Sequence, residues 1–119
     1  MKVLIADDDR LVRTMLGDLL RELGHDVVAA ENGQEAVALC GREQPEVVVL
    51  DLLMPRLSGL DALREMREAG CSAPAIMLTA ISDRSFRELE GAEAIQLRLD
   101  KPVNRRALER ALSRATGGR

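Results

Sequence analysis

The sequence has no tryptophan, no tyrosine and a single phenylalanine, Phe86. Aromatic platforms for stacking bases or flavins are therefore essentially absent. One histidine, His25, and two cysteines, Cys40 and Cys71, give no CxxC pair and no thiolate–imidazole cage for a metal. The cysteines read as small buried thiols in a reducing compartment. His25 follows Leu23–Gly24 and reads as a turn residue, since no second histidine or triad accompanies it. No apolar run approaches the ~20 residues needed to cross a bilayer. Met1 and Lys2 lead straight into "VLIA", without a signal-peptide pattern. A cytoplasmic location away from membranes is expected. Excess positive charge is missing too: 17 Lys+Arg against 20 Asp+Glu leave a net charge of −3, which argues against direct nucleic-acid binding.

What is present is alternation. At 119 residues the chain suits one domain with one core, and residues 115–119 read as a frayed tail or the start of a linker. "KVLIA" (2–6) is a short buried strand. Leu11, Val12, Met15, Leu16, Leu19, Leu20 and Leu23 then recur at helical spacing, with Gly24 as the stop. "DVVAA" (26–30) is a second strand, and Asn32 with Glu35 caps a second helix. "EVVVLDL" (46–52) is a third strand, followed by a helix capped by Ser58 and Asp61. "APAIMLTA" (73–80) is a fourth strand, Ser85 to Gly91 a short fourth helix, and "AIQLRLD" (94–100) a fifth strand. Asn104 caps a last helix bearing Leu108, Ala111, Leu112 and Ala115. The first four strands look apolar throughout, as strands buried on both faces do, and the fifth alternates like an edge. A doubly wound α/β fold with a five-stranded parallel sheet follows.

In such sheets functional groups gather beyond the carboxyl ends of the strands. There the sequence places Asp7, Asp8 and Asp9 after strand one, Asp51 at the end of strand three, Thr79 at the end of strand four and Lys101 after strand five. Crowded carboxylates repel and resist ionisation. A hard divalent cation such as Mg²⁺ would relieve them. A nearby ammonium and hydroxyl would suit phosphoryl oxygens, with Asp51 as the nucleophile that forms an acyl phosphate. Singly the residues have blander readings. Asp9 suits a helix start better than a metal. Thr79 is a common strand residue, and Lys101 an ordinary surface charge. The methionines and Phe86 suit core filling. Arg105, Arg106, Arg110 and Arg114 suit a wet helix face or a docking face for an acidic partner.

Taken in order, "LIADDD", "LDLLMPRLSGLD", "MLTA" and "DKPV" resemble the receiver domain of bacterial two-component response regulators, of the chemotaxis-receiver type, over roughly residues 2 to 115. The resemblance implies a flavodoxin-like sheet of order 2-1-3-4-5. It also implies a phosphoacceptor signalling switch rather than an enzyme acting on a separate substrate. Asp51 would be the phosphoacceptor, acting with Lys101 and Thr79. Asp7, Asp8, Asp51 and the Leu53 carbonyl would hold Mg²⁺, and the Leu52 and Ala80 N–H groups would cradle the phosphoryl group. The peptide bond before Pro102 would be cis. The partner would be a sensor histidine kinase or phosphotransfer protein, and a homodimer is allowed. Arg98 stands where the family's switch aromatic usually lies, so the ordinary pairing with Thr79 is not expected. The early Gly91–Ala92 implies an irregular or shortened fourth helix. Leu53 and Ile81 are apolar where the family tunes water access, which implies slow loss of the phosphoryl group. Two other readings compete. In an aspartate-nucleophile phosphatase of the haloacid-dehalogenase type, Asp7 would be the nucleophile. The third reading is a receiver-like interaction module that takes no phosphate.

Overall fold

The structure is a computed structural model that describes residues 1–89, 95 and 97–117. Strands and helices alternate as β1 (Lys2–Ala6), α1 (Arg10–Glu22), β2 (Asp26–Ala30), α2 (Gly33–Glu43), β3 (Val47–Asp51), α3 (Gly59–Glu68), β4 (Ala75–Thr79), α4 (Asp83–Arg87), β5 (Leu97–Asp100) and α5 (Arg105–Ala115). All five strands are parallel, in the order β2-β1-β3-β4-β5.

The two-residue repeat of the strands sorts the core into two layers. Leu4, Ala6, Val48, Leu50 and Met77 face α2 and α3, where Ala36, Leu39, Leu63 and Met66 meet them, and Phe86 of α4 joins the same layer. Val3, Ile5, Val49, Ile76 and Leu78 face Leu16 and Leu20 of α1 and Leu108, Ala111 and Leu112 of α5. β1 from Val3 onward and β3 are buried on both faces, which explains their unbroken apolar runs, Val3–Ala6 and Val47–Leu50.

Each helix starts at a side-chain oxygen that accepts a backbone N–H of the first turn. These caps are Asp9, Asn32, Ser58, Ser82 and Asn104. Asp61 is no cap; its N–H donates to the Ser58 hydroxyl at 3.2 Å. The fourth helix is short, as expected, but covers Asp83–Arg87 rather than starting at Ser85. The Ser82 hydroxyl receives the Ser85 N–H at 3.2 Å and starts the helix two residues early. Much of the stretch behind the irregular-helix expectation, residues 90–94, lies outside the described residues.

Three other expectations are corrected. β2 is an edge strand on which only Ala30 is buried. Its valines and alanines read as apolar whether one face is covered or two. Met15 is exposed on α1 rather than filling the core, although Met66 and Met77 are buried. Cys40 and Cys71 are joined in a disulfide with their Cα atoms 6.5 Å apart. They are not free thiols. α2 and α3 lie side by side on one face, which brings together residues 31 positions apart.

Gly59 positions the site. Its N–H donates to the Leu52 carbonyl at 2.9 Å. A Cβ there would collide with the Asp51 carbonyl oxygen and lie 2.8 Å from Met77 Sδ. Only glycine lets α3 start this close to β3. Gly59→Ala is expected to destabilise the chain by about 2 kcal/mol or more in urea unfolding. Gly41→Ala, also in a helix but with nothing within 4 Å of the added Cβ, should be neutral or stabilise by up to ~1 kcal/mol. Equal effects would refute the close-approach account.

Candidate functional site

The register of the two central strands builds the site. Ala6 pairs with Leu50 across β1 and β3, so the next residues, Asp7 and Asp51, emerge side by side. Asp7 is fully buried and Asp51 is 5% exposed, while Asp8 is exposed. Asp7 Oδ1 accepts the Asp9 N–H at 2.8 Å, which fixes the carboxylate. Arg13 Nη1 donates to the Asp7 backbone carbonyl at 2.7 Å and steadies the turn into α1. Asp9 faces the helix instead, with Oδ1 accepting from Leu11 N–H at 2.9 Å.

Lys101 arrives from the opposite edge of the site. Its N–H donates to the Thr79 carbonyl at 2.9 Å, and its bond to Pro102 is cis. The Nζ lies 3.2 Å from Asp7 Oδ2 and 3.3 Å from Asp51 Oδ1. Thr79 ends β4 beside it, 2% exposed, with Oγ1 accepting the Ile81 N–H at 3.1 Å.

The electrostatics follow from this crowding. Burial, and then the neighbouring Asp7 charge, push the Asp51 carboxyl up to about 6, against the opposing pull of Lys101 and the Leu53 N–H. Burial alone would lower the Lys101 ammonium, but Asp51 and Asp7 outweigh it and hold it above its ordinary value. One ammonium therefore serves two buried carboxylates. Asp7 Oδ2 sits at ion-pair distance from Nζ yet has no hydrogen-bond partner, an unusual state for a buried oxygen. Oxygens of Asp7, Asp8 and Asp51 all lie within 4.8 Å of one another. An all-oxygen set with an unsatisfied buried member fits a hard divalent cation.

The structure thus gathers Asp7, Asp8, Asp51, Thr79 and Lys101 at one rim. Leu52 is a correction. Its N–H is spent on the Leu78 carbonyl at 2.9 Å and its side chain is buried. The N–H that approaches the Asp51 carboxylate is that of Leu53, 3.4 Å from Oδ1. Successive amides leave a strand in opposite directions, so the Leu52 N–H turns to β4 and the Leu53 N–H to the carboxylate. Ala80 follows Thr79 at the rim and is exposed. Arg98 is set apart. Its guanidinium carbon lies 5.6 Å from the Phe86 ring centroid and its Nη2 2.9 Å from Asp100 Oδ1. A half-buried cation is thereby supplied with a π face and a carboxylate. Arg13 was missed in the sequence, where nothing marks an arginine one turn into a helix as a brace. His25 is half-buried in its turn, with Nδ1 3.3 Å from the Met1 amino group.

The model of the response regulator receiver domain matches residues 3–113. The chain belongs to that family. Its curated relatives include the response regulator MprA of Mycolicibacterium vanbaalenii, 39% identical over 117 residues, which cover 96% of this chain and 48% of that protein. The transcriptional regulatory protein PdtaR of Mycobacterium tuberculosis is 39% identical over 104 residues, covering 87% of this chain and 50% of that protein. The chain spans about half or less of the length of the curated relatives it matches. Among solved structures, the receiver domain of the Pseudomonas aeruginosa sensor histidine kinase PA1611 superposes with a TM-score of 0.87 at 33% identity, covering 98% of this chain and 97% of that one. That structure carries a magnesium ion coordinated in its active-site cleft. The Vibrio cholerae chemotaxis protein CheY4 gives 0.87 at 28% identity, covering 96% of this chain and 97% of that one. This receiver is a two-component signalling domain with the sheet order expected of it. No helix among its described residues is long and apolar enough to cross a membrane.

The raised Asp51 pKa has a stability signature. The unfolded chain releases this proton near 3.8, whereas the folded receiver keeps it to about 6. Between those values the folded state binds more protons, so stability falls as pH rises from about 4 to 6. The fall should be on the order of 1–3 kcal/mol in metal-free buffer, and Asp51→Asn should remove it. Urea unfolding across this range checks both. A stability that rises over the interval through an Asp51-dependent step would contradict the assignment.

Proposed function

We propose that the domain accepts a phosphoryl group on Asp51 from a phosphohistidine on a partner sensor histidine kinase or phosphotransfer protein, in an Mg²⁺-dependent reaction, and so changes its interaction surface. The observation that carries this reading is the buried Asp51 carboxylate held between Asp7 and the Lys101 ammonium, both within reach of the same oxygens. An Asp51 Oδ attacks phosphorus, the N–P bond to the donor imidazole breaks, and its electron pair stays on the ring nitrogen. Lys101 moves onto a phosphoryl oxygen, as a compact point charge can. The Thr79 hydroxyl and the Leu53 and Ala80 N–H groups donate to the others. Asp7, Asp8, Asp51 and the Leu53 carbonyl are the groups that would hold Mg²⁺, which supplies charge neutralisation on the phosphoryl oxygens. Arg98 occupies the switch position and couples β5 to α4 through Phe86.

A protein donor also needs a footing. An apolar cleft of about 410 Å³ lies beside Lys101, lined by Leu11, Val12, Met15, Pro102 and Val103, and Leu11 is 81% exposed on its rim. Exposed apolar surface of this kind marks a contact site. We read residues 1–119 as one receiver domain working in the cytoplasm, with no direct contact to nucleic acid or membrane, and able to pair with a second copy. It promotes only its own phosphoryl transfer and hydrolysis. A haloacid-dehalogenase-type use of Asp7 is disfavoured by its complete burial and its tie to the Asp9 N–H.

Labelling with a small acyl-phosphate donor and Mg²⁺ tests the proposal. Phosphate should map to Asp51 by mass spectrometry, vanish in Asp51→Asn and require the metal. Phosphate on Asp7 would support the phosphatase, and no Mg²⁺-dependent label would leave an interaction module. Leu53, 68% exposed, cannot orient water, so the acyl phosphate should outlast seconds. Leu53→Asn should shorten its lifetime about tenfold, the worth of one hydrogen bond to water of ~1.4 kcal/mol. A lifetime of seconds that this substitution leaves unaltered would contradict the account.

A further inference from the structure

The opposite pole of the sheet carries chemistry that phosphoryl transfer does not use. The end of α2, the α3–β4 loop and the end of α5 surround an open cleft of about 580 Å³, with Cys40 and Cys71 in its wall. The two sulfurs differ in setting. Cys40 is 2% exposed on the inner face of α2, within the apolar layer, whereas Cys71 is only partly buried. Cys71 is placed by its N–H, which donates to the Met66 carbonyl at 2.9 Å, and its carbonyl accepts from Arg67 Nη1 at 2.8 Å.

We propose that Cys40–Cys71 is a thiol–disulfide exchange site for a low-molecular-weight thiol of the glutathione type, with Cys71 as the sulfur attacked and Cys40 as the resolving partner. An incoming thiolate needs open space behind the sulfur it attacks, and Cys71, partly buried where Cys40 is 2% exposed, is the more open of the two. The cleft has the volume of an ordinary small-molecule site. Glu46 at its rim suits the ammonium of a γ-glutamyl thiol. In the first step the thiolate bonds to Cys71 Sγ, the Sγ–Sγ bond breaks, and Cys40 leaves as a thiolate that takes a proton from water. A second thiolate attacks the small thiol's sulfur, which departs as its own disulfide and frees Cys71. Two small thiols are oxidised to one disulfide and the protein pair is reduced to two thiols. Oxidised thiol runs the sequence backwards. In a glutathione-buffered compartment, a disulfide open to attack is exchangeable rather than permanent.

The bond closes a loop between residues 40 and 71 that contains β3, Asp51 and α3. Opening it releases α2 from the α3–β4 loop at the pole away from the carboxylates. The inference stands whatever reacts at Asp51.

The test uses the full chain, air-oxidised and then equilibrated in reduced and oxidised glutathione at graded ratios, with free thiols counted, intact mass measured and melting followed. The pair should convert fully to two thiols in excess reduced glutathione, and Tm should fall by roughly 10 °C. With oxidised glutathione, Cys40→Ser should gain one adduct on Cys71. Cys71→Ser should react at least about tenfold more slowly, because its remaining thiol is buried. Both single variants should first be checked for a cooperative melt. The wild-type titration needs neither. A wild-type chain that never forms the bond, or keeps it in excess reduced glutathione, would overturn the proposal. So would Cys40 reacting as fast as Cys71 or faster.

Discussion

Two carboxylates stand side by side because two central strands cannot slip. Ala6 faces Leu50 in the β1–β3 ladder, and a shift of one residue would turn every core side chain of either strand to the wrong layer. The core thereby holds Asp7 and Asp51 together although their charges repel. Lys101 offsets part of that repulsion, a bound cation would offset the rest, and oxygens of Asp7, Asp8 and Asp51 lie close enough together to hold one. The reactivity assigned to Asp51 follows from this enforced proximity. A carboxylate with a pKa near 6 is charged at neutral pH and so available as a nucleophile, and the added charge of a phosphoryl group falls to Lys101 and a bound cation to offset.

Much of this was legible in the sequence, for identifiable reasons. Alternation of short apolar runs with helical spacing fixes the βα order, and strand ends followed by Asp7, Asp51, Thr79 and Lys101 mark the active rim. Asn32, Ser58 and Asn104 announce their helices because a capping oxygen is a local signal. The failures are the non-local ones. β2 is an edge, but valine and alanine suit edge and centre alike. Whether the Leu52 or the Leu53 amide reaches the carboxylate depends on which neighbour each faces in the ladder, and composition does not reveal that. The pairing of Cys40 with Cys71 depends on α2 lying against α3, and spacing along the chain carries no trace of it.

Family membership supplies the frame, and this chain's own residues supply the differences. Arg98 lies between the Phe86 ring and Asp100. Exposed Leu11 and Leu53 surround the site with apolar surface. The cysteine pair lies at the far pole, in the wall of a second cleft. The carboxylates lie at the carboxyl ends of the strands and the disulfide at their amino ends, with the packed sheet between them.

The central claim is that Asp7 and Asp51, brought together from two strands, form one cation site that the Lys101 ammonium partly occupies electrostatically. Calorimetric Mg²⁺ isotherms on the wild-type chain and on Asp7→Asn, Asp51→Asn and Lys101→Ala test it most directly. The account predicts one saturable site, weakened at least about tenfold by either aspartate substitution and tightened by Lys101→Ala, which removes the competing positive charge. Binding that ignores Asp7 or Asp51, or that weakens when the ammonium is removed, would contradict it.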